Sequence, residues 1–160
     1  MSPLRVLDLS ADRMEGEAIV VFFFEDERPI RGPAALLDWR LNGLLSQKLI
    51  AGKTVGKEGE QLLVMNNGKI AADWALFVGG GRWEHLDRRH YGDMIRNVLL
   101  ACRRAGFARI ALALSPLEEM GEEELGAMVA DIFRAEEISG MECQLSPAAR
   151  THGAERLRVI

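Results

Sequence analysis

Cysteine is scarce in this chain: Cys102 and Cys143 are the only two among 160 residues, too few for a disulfide framework and too far apart for a zinc-type pair. A reducing, cytoplasmic setting is therefore expected. No stretch reaches the roughly eighteen consecutive apolar residues that cross a bilayer. Met1–Asp12 also lacks the basic segment and long apolar run of a secretion signal, so neither a membrane partner nor export is expected. Excess charge is missing too: 24 acids and 20 bases are interleaved, with a formal net charge of -4 and no basic tail. Nucleic acid is accordingly not an expected partner. Neither the spacing of a dinucleotide fingerprint nor the Lys-Ser/Thr ending of a P-loop occurs, and no Ser-His-Asp or Cys-His arrangement can be assembled. No cofactor is expected.

What is present reads as alternating strands and helices. The stretch that orders the rest is Ala75–Gly81, an apolar run followed by three glycines, a polar segment and an amphipathic helix. That succession is a buried strand leaving the carboxyl edge of a sheet and returning through a helix, and ligands commonly sit at such an edge. Leu4–Leu9 predicts a first strand. Glu17–Phe24 is a continuous β-branched and aromatic run, which predicts a central strand covered on both faces. The charged loop Glu25–Gly32 follows. From Ala34 to Ile50 the positions Leu37, Leu41, Leu44, Leu45 and Ile50 recur at helical spacing, predicting one sheet-packing helix that Gly52 stops.

Lys53–Gly59 is a connector rich in glycine and lysine, and Gln61–Met65 is β-like. Asn66-Asn67-Gly68 supplies a turn, with Lys69–Asp73 returning antiparallel or irregularly into the next strand. Met94, Ile95, Val98, Leu99 and Cys102 form another helical stripe ended by Gly106, and Ala108–Leu114 is a strand. Ser115-Pro116 opens an acidic helical region, Glu118 to Glu124, with the stripe Leu125, Met128, Val129, Ile132 and Phe133 facing a core. Met141–Leu145 and Arg156–Ile160 suit strands, separated by a loop over Ser146–Gly153. The expected fold is α/β: a three-layer α/β/α domain over residues 1–160, with a mixed, mostly parallel sheet.

The candidate site follows from the glycine edge. Gly79, Gly80 and Gly81 can let a phosphate approach backbone amides, or can serve as a tight strand exit. Arg82 and Arg88 can pair with such a phosphate or be solvated. The Lys53–Gly59 connector offers the same pair of alternatives. Trp83 can cover a pocket, stack on a ligand or pack against a second chain, and Trp39, Trp74 and Tyr91 are aromatic candidates for packing. His85 and His90 are spaced too far apart on a helix to share a metal, and His152 lies in another loop. Asp73 reads as a strand-edge residue. Cys102 and Cys143 read as inert core thiols.

The order of these elements resembles the amino-terminal domain of the leucyl aminopeptidase family (peptidase family M17), which has a macro-domain-like fold. The resemblance rests on the Ile19–Phe24 strand with charges after it, Leu36-Leu37-Asp38 and Gly43-Leu44-Leu45, and the Gly52–Gly59 connector. It continues through the hairpin-like Leu62–Lys69, the exit Leu76-Phe77-Val78-Gly79-Gly80-Gly81, the helix before Gly106 and the strand to Leu114. It covers roughly Leu4–Leu145. In that family the two metals and the catalytic lysine and arginine belong to a separate carboxyl-terminal domain. No segment here matches that domain, so the resemblance implies no metal ligand or catalytic residue at any numbered position.

Kinship with macro domains implies a second possibility, ADP-ribose or another nucleotide at the carboxyl edge. Glu25 or Asp26 then compares with the acid that reads adenine, and Gly79–Gly81 with the diphosphate loop. The Asn-rich loop for the distal ribose is missing, and Asn66-Asn67 does not replace it. Two expectations result. One is a noncatalytic interaction or regulatory domain, homo-oligomeric or partnered with an aminopeptidase or other protein, with an apolar patch at Trp83 or Trp39. The other is a small-molecule or nucleotide-binding domain, even a hydrolase, built from Gly79, Gly80, Gly81, Arg82, Trp83 and Glu25.

Overall fold

Side-chain alternation in Ala18–Phe23 divides the molecule into two cores. In the computed structural model, which describes residues 3–147, this strand (β2) is buried at all six positions. Val20 and Phe22 enter one core, while Ile19, Val21 and Phe23 enter the other. A strand buried on both faces must be central, because each face needs its own helical cover. The strands Leu4–Val6 (β1), Gln61–Met65 (β3), Trp74–Gly79 (β4), Arg109–Ala113 (β5) and Glu142–Ser146 (β6) complete a six-stranded sheet. Its order is β1-β6-β5-β2-β4-β3. Among the described residues all pairings are parallel except β3 on β4.

The helices Gly32–Arg40 (α1) and Leu44–Ile50 (α2) cover one face with Leu37 and Leu45, and with Leu41 between them, against Phe23, Phe77 and Ala111. The helices Arg88–Arg104 (α3) and Glu122–Ala135 (α4) cover the other with Tyr91, Ile95, Leu99, Leu125, Val129 and Phe133. The three-layer α/β arrangement with a mixed, mostly parallel sheet is thus the observed fold. It brings the carboxyl ends of β2, β4 and β5 to one edge, and the loops that follow them share that edge.

Three local expectations are corrected. The single helix over Ala34–Ile50 is two helices, because Asn42 and Gly43 adopt left-handed φ of 62° and 73°. The buried Asp38 then restarts the chain, its carboxylate accepting from the Leu45 and Ser46 amides at 2.7 and 3.2 Å and from the Ser46 hydroxyl at 2.6 Å. Ile50, assigned to the buried stripe, is 88% exposed at the end of α2. The helix expected from Ser115-Pro116 begins only at Glu122, after a turn closed by the Met120 amide on the Leu117 carbonyl and an extended Gly121. Glu118 and Glu119 therefore lie in the loop before α4, and only Glu122, Glu123 and Glu124 occupy its first turn. The expected strand Arg156–Ile160 and His152 fall outside the described residues.

Candidate functional site

Parallel register puts Phe23 beside Gly79, so the residues leaving β2 and β4 run together at the sheet edge. The Glu25 amide donates to the Gly81 carbonyl at 2.7 Å. The Asp26 carboxylate accepts from the Trp83 and Glu84 amides at 2.8 and 3.1 Å, holding the 3-10 turn Trp83–His85. Burial raises the pKa of Asp26, but these amide bonds and the nearby Arg82 outweigh it and hold the carboxyl below its usual range. Arg82 pairs with Glu84 at 2.6 Å, which pushes its own pKa up. Gly79, Gly80, Gly81, Arg82, Trp83 and the backbone of Glu25 are therefore neighbours. The exposed Glu25 side chain acts on Arg82 only through its charge.

The glycine amides are already engaged. Gly79 donates to the Glu60 carbonyl at 2.8 Å, Gly80 to Phe23 at 2.9 Å and Gly81 to Gly56 at 2.8 Å. A phosphate has none of these three donors to use without displacing a backbone carbonyl. Close approach does require the glycines, but it is protein that approaches. A Cβ at Gly79 would collide with the Lys57 carbonyl oxygen, and one at Gly80 would enter the Phe24 ring.

The element lying over Gly79 is the Lys53–Gly59 connector, and its own geometry explains why it stays there. One oxygen of Glu60, Oε1, accepts from the Thr54 hydroxyl at 3.0 Å and from the amides of Val55, Gly56 and Lys57 at 3.1, 2.8 and 2.8 Å. These convergent amides form the concavity that binds anions in other loops, and here a side chain of the same chain fills it. Burial raises the Glu60 pKa, but the four bonds outweigh it and lower the value. Arg28 ties the other side, donating to the Phe24, Glu27 and Val55 carbonyls at 2.8, 2.7 and 2.8 Å. His90 at the start of α3 meets Glu58 at 2.5 Å.

Aromatic rings close the edge from within. Phe24 stands edge-on to Trp83 with centroids 5.1 Å apart, Trp83 is edge-on to Tyr91 at 6.2 Å, and Phe22 is 6.1 Å from Tyr91. Such edge-to-face pairs are favoured by the ring quadrupoles and bury much apolar area. The Tyr91 hydroxyl donates to the Ser115 carbonyl at 2.6 Å, and burial pushes its pKa up. Trp83 thus belongs to a half-buried cluster rather than an exposed patch. Trp39 is 44% exposed, with the Arg40 guanidinium 4.8 Å above its ring.

A cleft of about 380 Å³ does open beside Trp83, between the loops after β4 and β5. Trp83, Leu86, Leu117 and Met120 form its apolar lining, and Glu84, Asp87, Glu118 and Glu119 bring acids to it. Arg88 is the one cation among the described residues that line it; its guanidinium pairs with Glu124 and donates to the Glu119 carbonyl at 3.1 Å. Four acids against one committed arginine disfavour a phosphate there. Asp87 caps α3 by accepting from the His90 amide at 2.8 Å.

The remaining candidates lie elsewhere. Asp73 is exposed at the opposite end of β4, and Trp74 begins that strand. Cys102 and Cys143 are buried and unlinked; burial raises the Cys102 pKa to about 11 and pushes Cys143 up as well. Among the described residues no group of three or more His, Cys, Asp or Glu side chains converges as a metal site would require. No helix among them is long and apolar enough to cross a membrane. Of the residues that hold this edge together, Phe24 ends the apolar run that the sequence marks as buried, whereas Asp26, Arg28 and Glu60 carry little sequence signal. Asp26 stands in the charged run after β2, where the resemblance offers Glu25 or Asp26 as a ligand-reading acid.

Residues 20–137 match the family model described as the cytosol aminopeptidase family, N-terminal domain. A probable cytosol aminopeptidase of Colwellia psychrerythraea is 31% identical over 114 residues, 71% of this chain and 23% of that protein. One from Idiomarina loihiensis is 32% identical over 112 residues, 70% of this chain and 22% of that protein. The chain thus spans less than a quarter of the length of these curated relatives. A tomato leucine aminopeptidase mutant superposes with a TM-score of 0.65 at 17% identity, covering 91% of this chain and 32% of that one. The macrodomain of Mycobacterium tuberculosis DarG does so with a TM-score of 0.65 at 15% identity, covering 91% and 98%. The fold is macro-domain-like, and the matched span and its identities mean that the chain belongs to the cytosol aminopeptidase family through that family's N-terminal domain.

Proposed function

We propose that this domain is a noncatalytic interaction or regulatory module whose macro-type ligand edge is occupied by its own chain. The observation that carries the reading is the engagement of the Gly79, Gly80 and Gly81 amides by the carbonyls of Glu60, Phe23 and Gly56. Ligand recognition by a glycine loop needs amides that point into open space. Here the Glu60-bound connector and the Phe24 ring take that space, and the adjoining cleft carries acids that repel a diphosphate. The reading includes a cytoplasmic setting and a protein partner, an aminopeptidase chain among the candidates. It assigns no catalytic residue.

Titration calorimetry of the purified chain with ADP-ribose tests it. No saturable heat is expected. Saturable heat near equimolar ratio, abolished by Gly80→Val in a variant that still folds, would replace this reading with the alternative of a nucleotide-binding domain. That alternative draws its support from the cleft beside Trp83, which is large enough for part of a small molecule.

A further inference from the structure

Among the described residues the two edges of the sheet, β1 and β3, are built differently. β1 is three residues long and carries Arg5, a short and charged edge of the kind that resists strand addition. β3 is five residues, Gln-Leu-Leu-Val-Met, with no charge and no proline. Leu63 and Met65 are 48% and 66% exposed, and both belong to β3. Leu62 and Val64 pack into the core beneath α1 and α2. Side-chain alternation therefore turns Gln61, Leu63 and Met65 toward the α3 face.

Backbone polarity follows the same alternation. The Gly79 amide donates to the Glu60 carbonyl, and the Asn66 amide donates to the Asp73 carbonyl. In an antiparallel pair the bonded residues alternate, so Leu62 and Val64 turn their N–H and C=O groups to β4, as do the Glu60 carbonyl and the Asn66 amide at the two ends. Gln61, Leu63 and Met65 turn theirs outward. Beside them an apolar groove of about 290 Å³ runs between the strands and α3, lined by Leu63, Leu76, Val98, Ala101, Cys102 and Phe107, with Gln61 at its margin.

We propose that β3 is a self-pairing edge, on which a second copy of this chain adds its own β3 antiparallel about a two-fold axis at Leu63. The register chooses the partner. Centring on Leu63 sets Leu63 against Leu63 and Gln61 against Met65 twice, and these are the residues whose backbone groups face outward on both strands. Each pair exchanges two hydrogen bonds, so about six bonds satisfy all the outward groups of both strands. The same symmetry puts the exposed Met65 of each copy over Gln61 of the other, at the groove. No charge lies opposite a like charge between Gln61 and Met65. An isologous contact of this kind closes at two copies and joins two six-stranded sheets into one.

This pairing goes beyond the interaction module by naming one partner, and its failure is separable from failure of that reading. Sedimentation velocity of the 160-residue chain across a dilution series is expected to resolve a reversible dimer. Leu63→Lys, which sets a lysine against its symmetry mate, is expected to weaken association about a hundredfold or more. Met65→Lys, which sets a charge over Gln61 of the other copy in place of an apolar side chain, is expected to weaken association by a smaller factor at a more exposed position, should the first variant fold poorly. Ile50→Lys, at an 88% exposed site on α2, is expected to leave association unchanged. A chain that stays monomeric at every concentration, or a dimer that survives both β3 lysines, overturns the pairing. Failure here with no ADP-ribose binding leaves the interaction module with another partner, whereas a dimer that binds ADP-ribose removes the closed edge alone.

Discussion

Gly79→Ala is expected to lower stability by about 3 kcal/mol or more, and the melting temperature by about 6–12 °C, in a two-state thermal or urea transition. The added methyl has nowhere to go. It would collide with the Lys57 carbonyl oxygen and come within 2.9 Å of the Gly56 carbonyl carbon, and both belong to backbone. A flexible side chain can turn aside, but here the connector must lift. Lifting it strains the bonds that Gly79 shares with it and its continuation, Gly59 N–H to the Gly79 carbonyl at 3.1 Å and Gly79 N–H to the Glu60 carbonyl at 2.8 Å. Gly81→Ala makes the useful contrast. Its nearest neighbour is the Glu58 Cβ at 3.8 Å, so only its φ of 73° opposes a side chain, at about 1–2 kcal/mol. Equal effects at the two positions would contradict close approach of the connector at Gly79.

Glu60→Ala is the second large effect expected, a loss of about 2 kcal/mol and about 4–8 °C in melting temperature. Four donors share the one oxygen, and hydrogen bonds to a charged acceptor are among the stronger ones. Water can reach the exposed Val55 and Lys57 amides after the change, so the full sum is not lost. Gly56 is buried, and its amide would be left without a partner. Glu60→Gln keeps an acceptor without its charge and should recover about half of the loss. The sign of the pH dependence follows from the lowered pKa. The contribution is complete above the usual glutamate range, near pH 4.3, and is lost as pH falls through the lower folded value. Wild type and Glu60→Ala should therefore converge in stability as the solution is acidified below about pH 4. A gap that widens there would contradict the carboxylate's role.

The sheet was legible because its strands carry period-two and all-apolar patterns that local sequence preserves. Ala18–Phe23 announces burial on both faces, and the triglycine after Phe77-Val78 announces a strand exit near other backbone. The stripe from Met94 to Cys102 lies in α3 with all five residues buried. The break at Asn42-Gly43 was present as a left-handed pair, but the apolar spacing from Leu37 to Ile50 ran across it and masked it. The state of the glycine amides was not legible. Whether such an amide meets phosphate or carbonyl depends on Glu60, Phe23 and Gly56, which pairing brings in from other elements. Glu60 illustrates the limit: nothing local distinguishes a glutamate that faces water from one that folds back on four donors. Arg28, whose three acceptors lie on Phe24, Glu27 and Val55, illustrates it again.

The closed edge can be read directly from amide hydrogen exchange resolved by residue in the free chain. If Gly79, Gly80 and Gly81 donate to carbonyls under the connector, their amides exchange slowly, close to the rates of the β2 core amides, and Glu60→Ala speeds Gly81 most through its Gly56 acceptor. Fast, solvent-like exchange at all three glycines in the wild-type chain would contradict that closure, because the edge would then stand open and its amides would be free for a ligand.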